Sequence, residues 1–249
     1  MRVPRRRRKV LRQRTIRSFR HFPGIFLSLL LLSLVTFLLG WSSLLSVKVI
    51  AISGTQERAL IQQSISEVKP AIRVGTPLAR VDVSALDRLI AKNSWIDSVE
   101  IGRSWIHGAL TIHITQRIPV ASYQGSDGVL RYFDASGIDF QSPLQYSNLP
   151  IIQMGSTTPQ SKSSIASFII NLHQVDPVLL HSAQGFAVST SDVITMKAAI
   201  SPSRIISIRW GGSNDLSLKL TIYRRLIALQ DSKKATFFDL SDPLSPITK

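Results

Sequence analysis

The sequence predicts an α+β protein in which one apolar helix carries two outward modules. Three observations predict it. The first twenty residues hold ten basic and no acidic side chains, the next 26 from Phe22 to Val47 hold no Asp, Glu, Lys, Arg or His, and strand and helix patterns alternate from there onward. The 249 residues, 44% of them apolar, suffice for one or two folded units. Of the formal charge of +15, the first twenty residues hold +10; the other 229 carry 20 basic against 15 acidic side chains, or +5. That asymmetry describes a cationic arm on an ordinary body, not a basic domain laid along nucleic acid. With no cysteine, disulfides, thiolate catalysis and cysteine-ligated metal sites are excluded.

As a helix the uncharged run would extend about 39 Å, more than the roughly 30 Å of bilayer hydrocarbon. Pro23 and Gly24 stand at its start, and Trp41 stands where an amphipathic ring favours the interface. Basic residues crowd the side before the run, while Val47 to Ser66 holds only Lys48 and Arg58. The positive-inside rule then keeps the N-terminus in the cytoplasm and exports the chain beyond Ser46. Residues 1–21 are expected as a basic tail whose Arg5, Arg6, Arg7, Arg8, Lys9 and Arg20 set topology and meet anionic lipid, and 22–46 as a transmembrane helix. A cleaved signal peptide has the same order of segments, but this run exceeds its usual apolar length of about 7 to 15 residues, and Gly40-Trp41-Ser42 is a poor cleavage site.

Behind the run, Val47 to Ile52 alternates as a short strand ended by Ser53-Gly54. Thr55 is an N-cap candidate for a helix carrying Leu60, Ile61, Ile65 and Val68 on one face. After the break at Gly75-Thr76-Pro77, Asp82 or Ser84 caps a second helix with Leu86, Leu89 and Ile90 inward. Trp95 to Ile101 and Leu110 to Thr115 read as strands. The order strand, helix, helix, strand, strand gives a three-stranded sheet covered on one face by two helices.

The second unit starts with a strand at Val129 to Phe133 and the turn Ala135-Ser136-Gly137. Ser163 to Gln174 is a helix with Ile165, Phe168, Ile169 and Leu172 inward. Gly185 to Ser189, Val193 to Lys197 and Arg204 to Trp210 are strands. Gly211-Gly212 turns the chain into a helix capped by Asn214-Asp215 with a Leu216, Leu220, Tyr223, Ile227 stripe. Thr236 to Leu240 is the last strand, and the sheet is expected to be mostly antiparallel with helices on one side.

These residues carry a resemblance. Val49 to Gly54, Gly75-Thr76-Pro77-Leu78 with Val81-Asp82, Trp95-Ile96-Asp97-Ser98-Val99, Arg103-Ser104-Trp105, Leu110-Thr111-Ile112 and Gln116 to Ala121 resemble the POTRA domain of the FtsQ/DivIB family of bacterial cell-division proteins. Tyr132 to Gly137 resembles the family's Asp-x-x-Gly turn, Leu149 to Ile152 its Leu-Pro segment, and Phe238 to Pro243 its last strand and exit. Two positions depart: Ile106 stands where the family often has Pro, and Gln116 where it has Glu, which removes a carboxylate that could pair with Arg117. The resemblance implies a POTRA domain at 47–118 and a β domain at 119–249. It also implies a single-pass, type II protein of the cell membrane, N-terminus cytoplasmic, placed at the midcell division septum. There it would be a non-enzymatic, bitopic scaffold of the divisome that links septal cell-wall synthesis proteins. The other reading weighed is a membrane-anchored POTRA-type chaperone or assembly factor for export, which would call for tandem modules or a barrel.

No catalytic motif stands out: His-Glu-x-x-His, Gly-x-Ser-x-Gly, a phosphate loop and a Ser-x-x-Lys set are all missing from the sequence. His113 alternates with Ile112 and Ile114 as an exposed strand residue and is no obvious ligand pair for His107. Asp82, Asp134 and Asp239 read as caps or Asx-turns, and Gly211-Gly212 as a turn. No cofactor, nucleic acid or small-molecule substrate is expected. Function by strand addition is expected instead, at Thr236, Phe237, Phe238, Asp239 and Leu240, because nothing after them is long enough to cover that edge fully. The resemblance implies that this edge receives an FtsB/DivIC-type membrane protein with an FtsL-type protein alongside, and that POTRA meets other divisome components. Proline at Phe238 is expected to block the added ladder.

Overall fold

The computed structural model describes residues 22–41, 45–230 and 234–249. The expected topology residues Arg5, Arg6, Arg7, Arg8, Lys9 and Arg20 lie outside the described residues, as does 42–44 of the expected span. The first element is α1 (Phe22–Trp41), uncharged along its length. Its side chains are described for 24–37, fourteen residues, and among the described residues no helix is long and apolar enough to cross a membrane.

The first module runs β1 (Val49–Ser53), α2 (Arg58–Glu67), a 3₁₀ turn (Leu78–Arg80), α3 (Val83–Ile90), β2 (Ile96–Ser104) and β3 (Ala109–Gln116). Its sheet has the order β1-β3-β2, with β1 parallel and β2 antiparallel to β3. This is the strand, helix, helix, strand, strand order expected. Period-two burial makes the core: Leu110, Ile112 and Ile114 are buried while Thr111, His113 and Thr115 are exposed. Ile61, Ile65, Leu86 and Ile90 close over them from the two helices, each contributing about 1.5–3 kcal/mol by leaving water. Asp82 caps α3 as expected, its Oδ1 accepting from the Ala85 N–H at 2.9 Å. Thr55 does not cap α2. Its hydroxyl accepts from Glu57 N–H at 3.0 Å, closing a turn, and the helix begins only at Arg58.

The second module holds β4 (Ala121–Gln124), β5 (Leu130–Phe133), β6 (Asp139–Phe140), β7 (Ile151–Met154), α4 (Pro159–Val175), α5 (Pro177–His181), β8 (Ala183–Val188), β9 (Ile194–Ser201), β10 (Arg204–Gly211), α6 (Leu216–Ala228), β11 (Phe237–Asp239) and β12 (Ile247–Thr248). They form one sheet of nine strands, β12-β11-β10-β9-β8-β7-β4-β5-β6. Five of its eight pairings are antiparallel, as expected, and three are parallel. Two parallel pairs have a physical cause: α4 with α5 carries the chain from β7 to β8, and α6 from β10 to β11, and a crossover of that length returns the chain in the same direction. Ile165, Phe168 and Leu172 of α4 join Leu220 and Tyr223 of α6 in one core with Phe186, Ile208 and Trp210.

The modules interlock. Tyr132 of β5 and Phe140 of β6 are buried in the first module's core, where the Tyr132 ring lies 5.2 Å from Tyr146 and 5.9 Å from Phe140. Arg117, deprived of the neighbouring carboxylate by Gln116, pairs elsewhere: its guanidinium lies 3.2 Å from Asp97 and 2.7 Å from Asp134. The Asp134 side chain also accepts from the Ser136 and Ile138 N–H groups, the Asx-turn expected of it.

Candidate partner-binding edge

β11 is the strand expected to stand open, and its residues alternate strictly. Phe238 is fully buried, its ring edge-on to Tyr223 at 6.0 Å, while Phe237 is half-buried on the other face. Thus Phe238 is the core aromatic and Phe237 the outward one, a choice two adjacent phenylalanines leave undecided in the sequence. Burial pushes the Tyr223 hydroxyl up to about 12, with Asp176 adding to it and Arg204 opposing.

Main-chain groups alternate in the same way. On the inner side, Ser207 N–H donates to Thr236 O at 2.8 Å and Leu240 N–H to Arg209 O at 2.8 Å. On the outer side, Phe237 donates to Lys249 O at 3.0 Å and accepts from Lys249 N–H at 3.0 Å; Thr236 N–H donates to the same Lys249 O at 2.8 Å. Within a strand a residue's N–H and C=O share a side and successive residues alternate, so Phe238 faces β10 and Phe237 and Asp239 face outward. The expectation of a bare edge is therefore corrected: β12 folds back antiparallel and pairs Phe238 with Thr248 and Asp239 with Ile247. The cover is short, two residue pairs beside the two-way bonds between Phe237 and Lys249. The test residue is corrected too. Proline at Phe238 would break the internal ladder with β10, whereas Phe237 is a position whose donor points outward, to Lys249.

Asp239 turns the chain out of the sheet, its Oδ1 accepting from Ser241 N–H at 3.0 Å, and Arg209 sits 3.5 Å from its other oxygen. Leu240 is buried in the core. The structure thus gathers the five expected residues as two inward side chains, Phe238 and Leu240, with the outward backbone of Phe237 and Asp239 between and beside them, and Thr236 at the entry.

Behind this edge lies a residue that pattern reading misses. Lys219 of α6 is buried and donates from Nζ to the Trp210 and Gly212 carbonyls at 2.7 and 3.1 Å, closing the Gly211-Gly212 turn where Gly211 takes φ +72°. Burial lowers its pKa, against the pull of Asp215. A second such lysine, Lys162, donates to Asp139 at 2.6 Å beside the Tyr123 hydroxyl, which donates to the same oxygen at 2.8 Å and is pushed up to about 12 by burial and by Asp139. The only signal for either lysine is a charge set within an apolar helical stripe.

The remaining candidates stay apart. Ser53 Oγ and His113 Nδ1 lie 3.1 Å apart on the first sheet, and His107 Nδ1 lies 3.0 Å from Ser104 Oγ in the β2–β3 turn. Among the described residues no group of three or more His, Cys, Asp or Glu side chains is placed to hold a metal ion.

No protein-family model matches the chain. Curated relatives do. A protein of Streptomyces griseus named Cell division protein FtsQ is 28% identical over 216 residues, covering 82% of this chain and 97% of that protein. One of the same name from Streptomyces collinus is 34% identical over 133 residues, 53% of this chain and 48% of that protein. A third, from Streptomyces bingchenggensis, is 28% identical over 221 residues, 85% of this chain and 79% of its own length. Relatives in two mycobacterial species carry the same name, and matches of this length span both modules, so the resemblance first carried by short motifs extends over most of the chain: it is similar to proteins named Cell division protein FtsQ.

Proposed function

We propose that this chain is a non-enzymatic, membrane-anchored scaffold of the bacterial divisome that works by docking. In this reading 1–21 is a cytoplasmic tail, 22–46 spans the cell membrane once, 47–118 is a POTRA domain and 119–249 is the β domain, both outside the cytoplasm at the division septum. Support comes from the relatives' shared name, from the uncharged α1 behind ten basic residues, and from a first module with the strand and helix order of a POTRA domain.

The observation that carries the docking role is the closure of β11 by two residue pairs at the end of a nine-stranded sheet. A strand from an FtsB/DivIC-type membrane protein, with an FtsL-type protein alongside, takes the place of β12 against Thr236, Phe237, Phe238, Asp239 and Leu240. Main-chain bonds give affinity in such an addition, and the outward side chains give selectivity.

The Phe237→Pro variant tests it, because it removes one outward donor and leaves the β10 ladder whole. Co-purification of the membrane-embedded partner should fall by at least about tenfold, roughly the 1.4 kcal/mol expected of a lost ladder bond. Undiminished co-purification, with an unchanged melting temperature, would falsify the edge as the docking site.

A further inference from the structure

Three stretches of chain meet at the end of the first module nearest α1. Val47 N–H donates to Thr76 O at 2.8 Å, Gly75 N–H to Val47 O at 2.7 Å, and Lys48 N–H to Gly108 O at 2.6 Å; Ser46 bridges Pro77. The approach is close at Gly108, where φ is +65° and a Cβ would come within 2.8 Å of the Ser46 carbonyl. So 45–49, 73–77 and the β2–β3 turn at 105–108 form one surface.

That surface is odd in two ways. It is apolar where turns are usually polar: Ile106 is 90% exposed, Val74 71% and Trp105 38%. It is also cationic, since 45–49, 73–77 and 105–108 contain Lys48 and Arg73 and no Asp or Glu. Exposed aromatic and branched side chains ringed by cations match a bilayer interface, where rings and apolar tips sit among headgroups and cations meet lipid phosphates. The distance allows it. Four residues lie between Trp41 at the end of α1 and Ser46, and the five steps from one to the other reach at most about 17 Å.

We propose that this end of the first module rests on the membrane: Trp105, Ile106 and Val74 enter the interface, and Lys48 and Arg73 bind phosphates of anionic lipid. The contact fixes the module's tilt, and with it the direction in which the second module presents β11. It rests on the reading that α1 spans the bilayer. It adds a second, reversible attachment to that anchor.

The absence of cysteine makes single labels unique. Leu31→Cys in α1, Ile106→Cys at the turn and Val178→Cys in the second module each replace an exposed side chain, so none disturbs a core. Each full-length variant, carrying a nitroxide, is reconstituted in vesicles of phosphatidylcholine alone or mixed with phosphatidylglycerol. Collision with oxygen and with a water-soluble nickel chelate is read by electron paramagnetic resonance. The Leu31 label should be closed to nickel, the Val178 label open, and the Ile106 label should lose nickel collisions, more so with phosphatidylglycerol. Adding Lys48→Glu and Arg73→Glu should return the Ile106 label to water. An Ile106 label as open as Val178 while Leu31 is closed overturns the proposal and leaves the span standing; so does shielding seen only when a partner protein is co-reconstituted. A Leu31 label open to nickel overturns the span and the proposal with it.

Discussion

At one end of the nine-stranded sheet, β5 and β6 send Tyr132 and Phe140 into the first module's core while Arg117 ties Asp97 to Asp134 across the junction. At the other end, β11 is closed by two residue pairs of β12, and the segment that supplies them leaves Leu244 85% exposed and Ile247 half exposed. Both ends satisfy main-chain hydrogen bonds. At the first end the closing strands also bring buried rings and a charge pair, which no incoming strand can replace, whereas both residues of β12 are exposed and the buried ring of Phe238 belongs to β11 itself. A net hydrogen bond is worth about 0.5–1.5 kcal/mol, and another strand supplies the same bond. The comparison therefore separates a permanent joint from an exchangeable edge on one continuous sheet.

The strongest way to break that contrast is at the joint. Tyr132→Ala removes a buried ring from a core it does not belong to by sequence and should cost about 3–5 kcal/mol. Trp95 reports the first module and Trp210 the second, both being buried. Urea unfolding followed by their fluorescence should show both modules weakened, since β5 serves each. A loss under about 1 kcal/mol, the range of an ordinary surface change, would mean that the joint is no firmer than the edge.

Arg117→Met sharpens the same point through charge. The Arg117 and Asp134 side chains are both mostly buried, so removing the guanidinium leaves Asp134 with its turn bonds but without its counter-ion. A hydrogen bond to a charged group is worth about 1.5–3 kcal/mol, and the expected loss is about 2 kcal/mol. Asp97, which is half exposed, should matter far less: Asp97→Ala within about 0.5 kcal/mol of the parent keeps the assignment to Asp134, and equal losses would not.

Which of these features the sequence announces depends on how each residue is buried. The Leu110, Ile112, Ile114 alternation is legible because β3 has one wet face. β4 is not: Ala121, Ser122 and Tyr123 are buried in succession, helices covering one face and the first module approaching the other, so no alternation survives. The start of α4 at Pro159 is four residues earlier than the apolar stripe suggests, though Thr158 followed by Pro159 is a legible N-terminus, and the Thr158 hydroxyl does accept from Ser161 N–H. Lys162 and Lys219 mislead because a charge in a stripe ordinarily points to water; here each finds oxygens inside. At the candidate edge the location is legible and the facing is not. Two adjacent phenylalanines carry equal hydrophobic weight, and only the register with β10 sends Phe238 inward. β12 stays hidden because a two-residue strand after a proline has no periodicity to read.

The smallest expected effect lies at that hidden strand. Removing 243–249 should cost about 1 kcal/mol or less, since the segment gives up a few main-chain bonds and little buried area. Hydrogen exchange separates the two sides of β11 within three residues. The Phe237 amide, held only by Lys249, opens with the strap and exchanges early; the Leu240 amide, held by Arg209 within the core sheet, waits for larger opening. In the shortened chain Phe237 should lose its protection and Leu240 keep it. If both amides lose protection together, β11 is held by β12 rather than by β10, and the edge cannot be exchanged without unravelling the sheet.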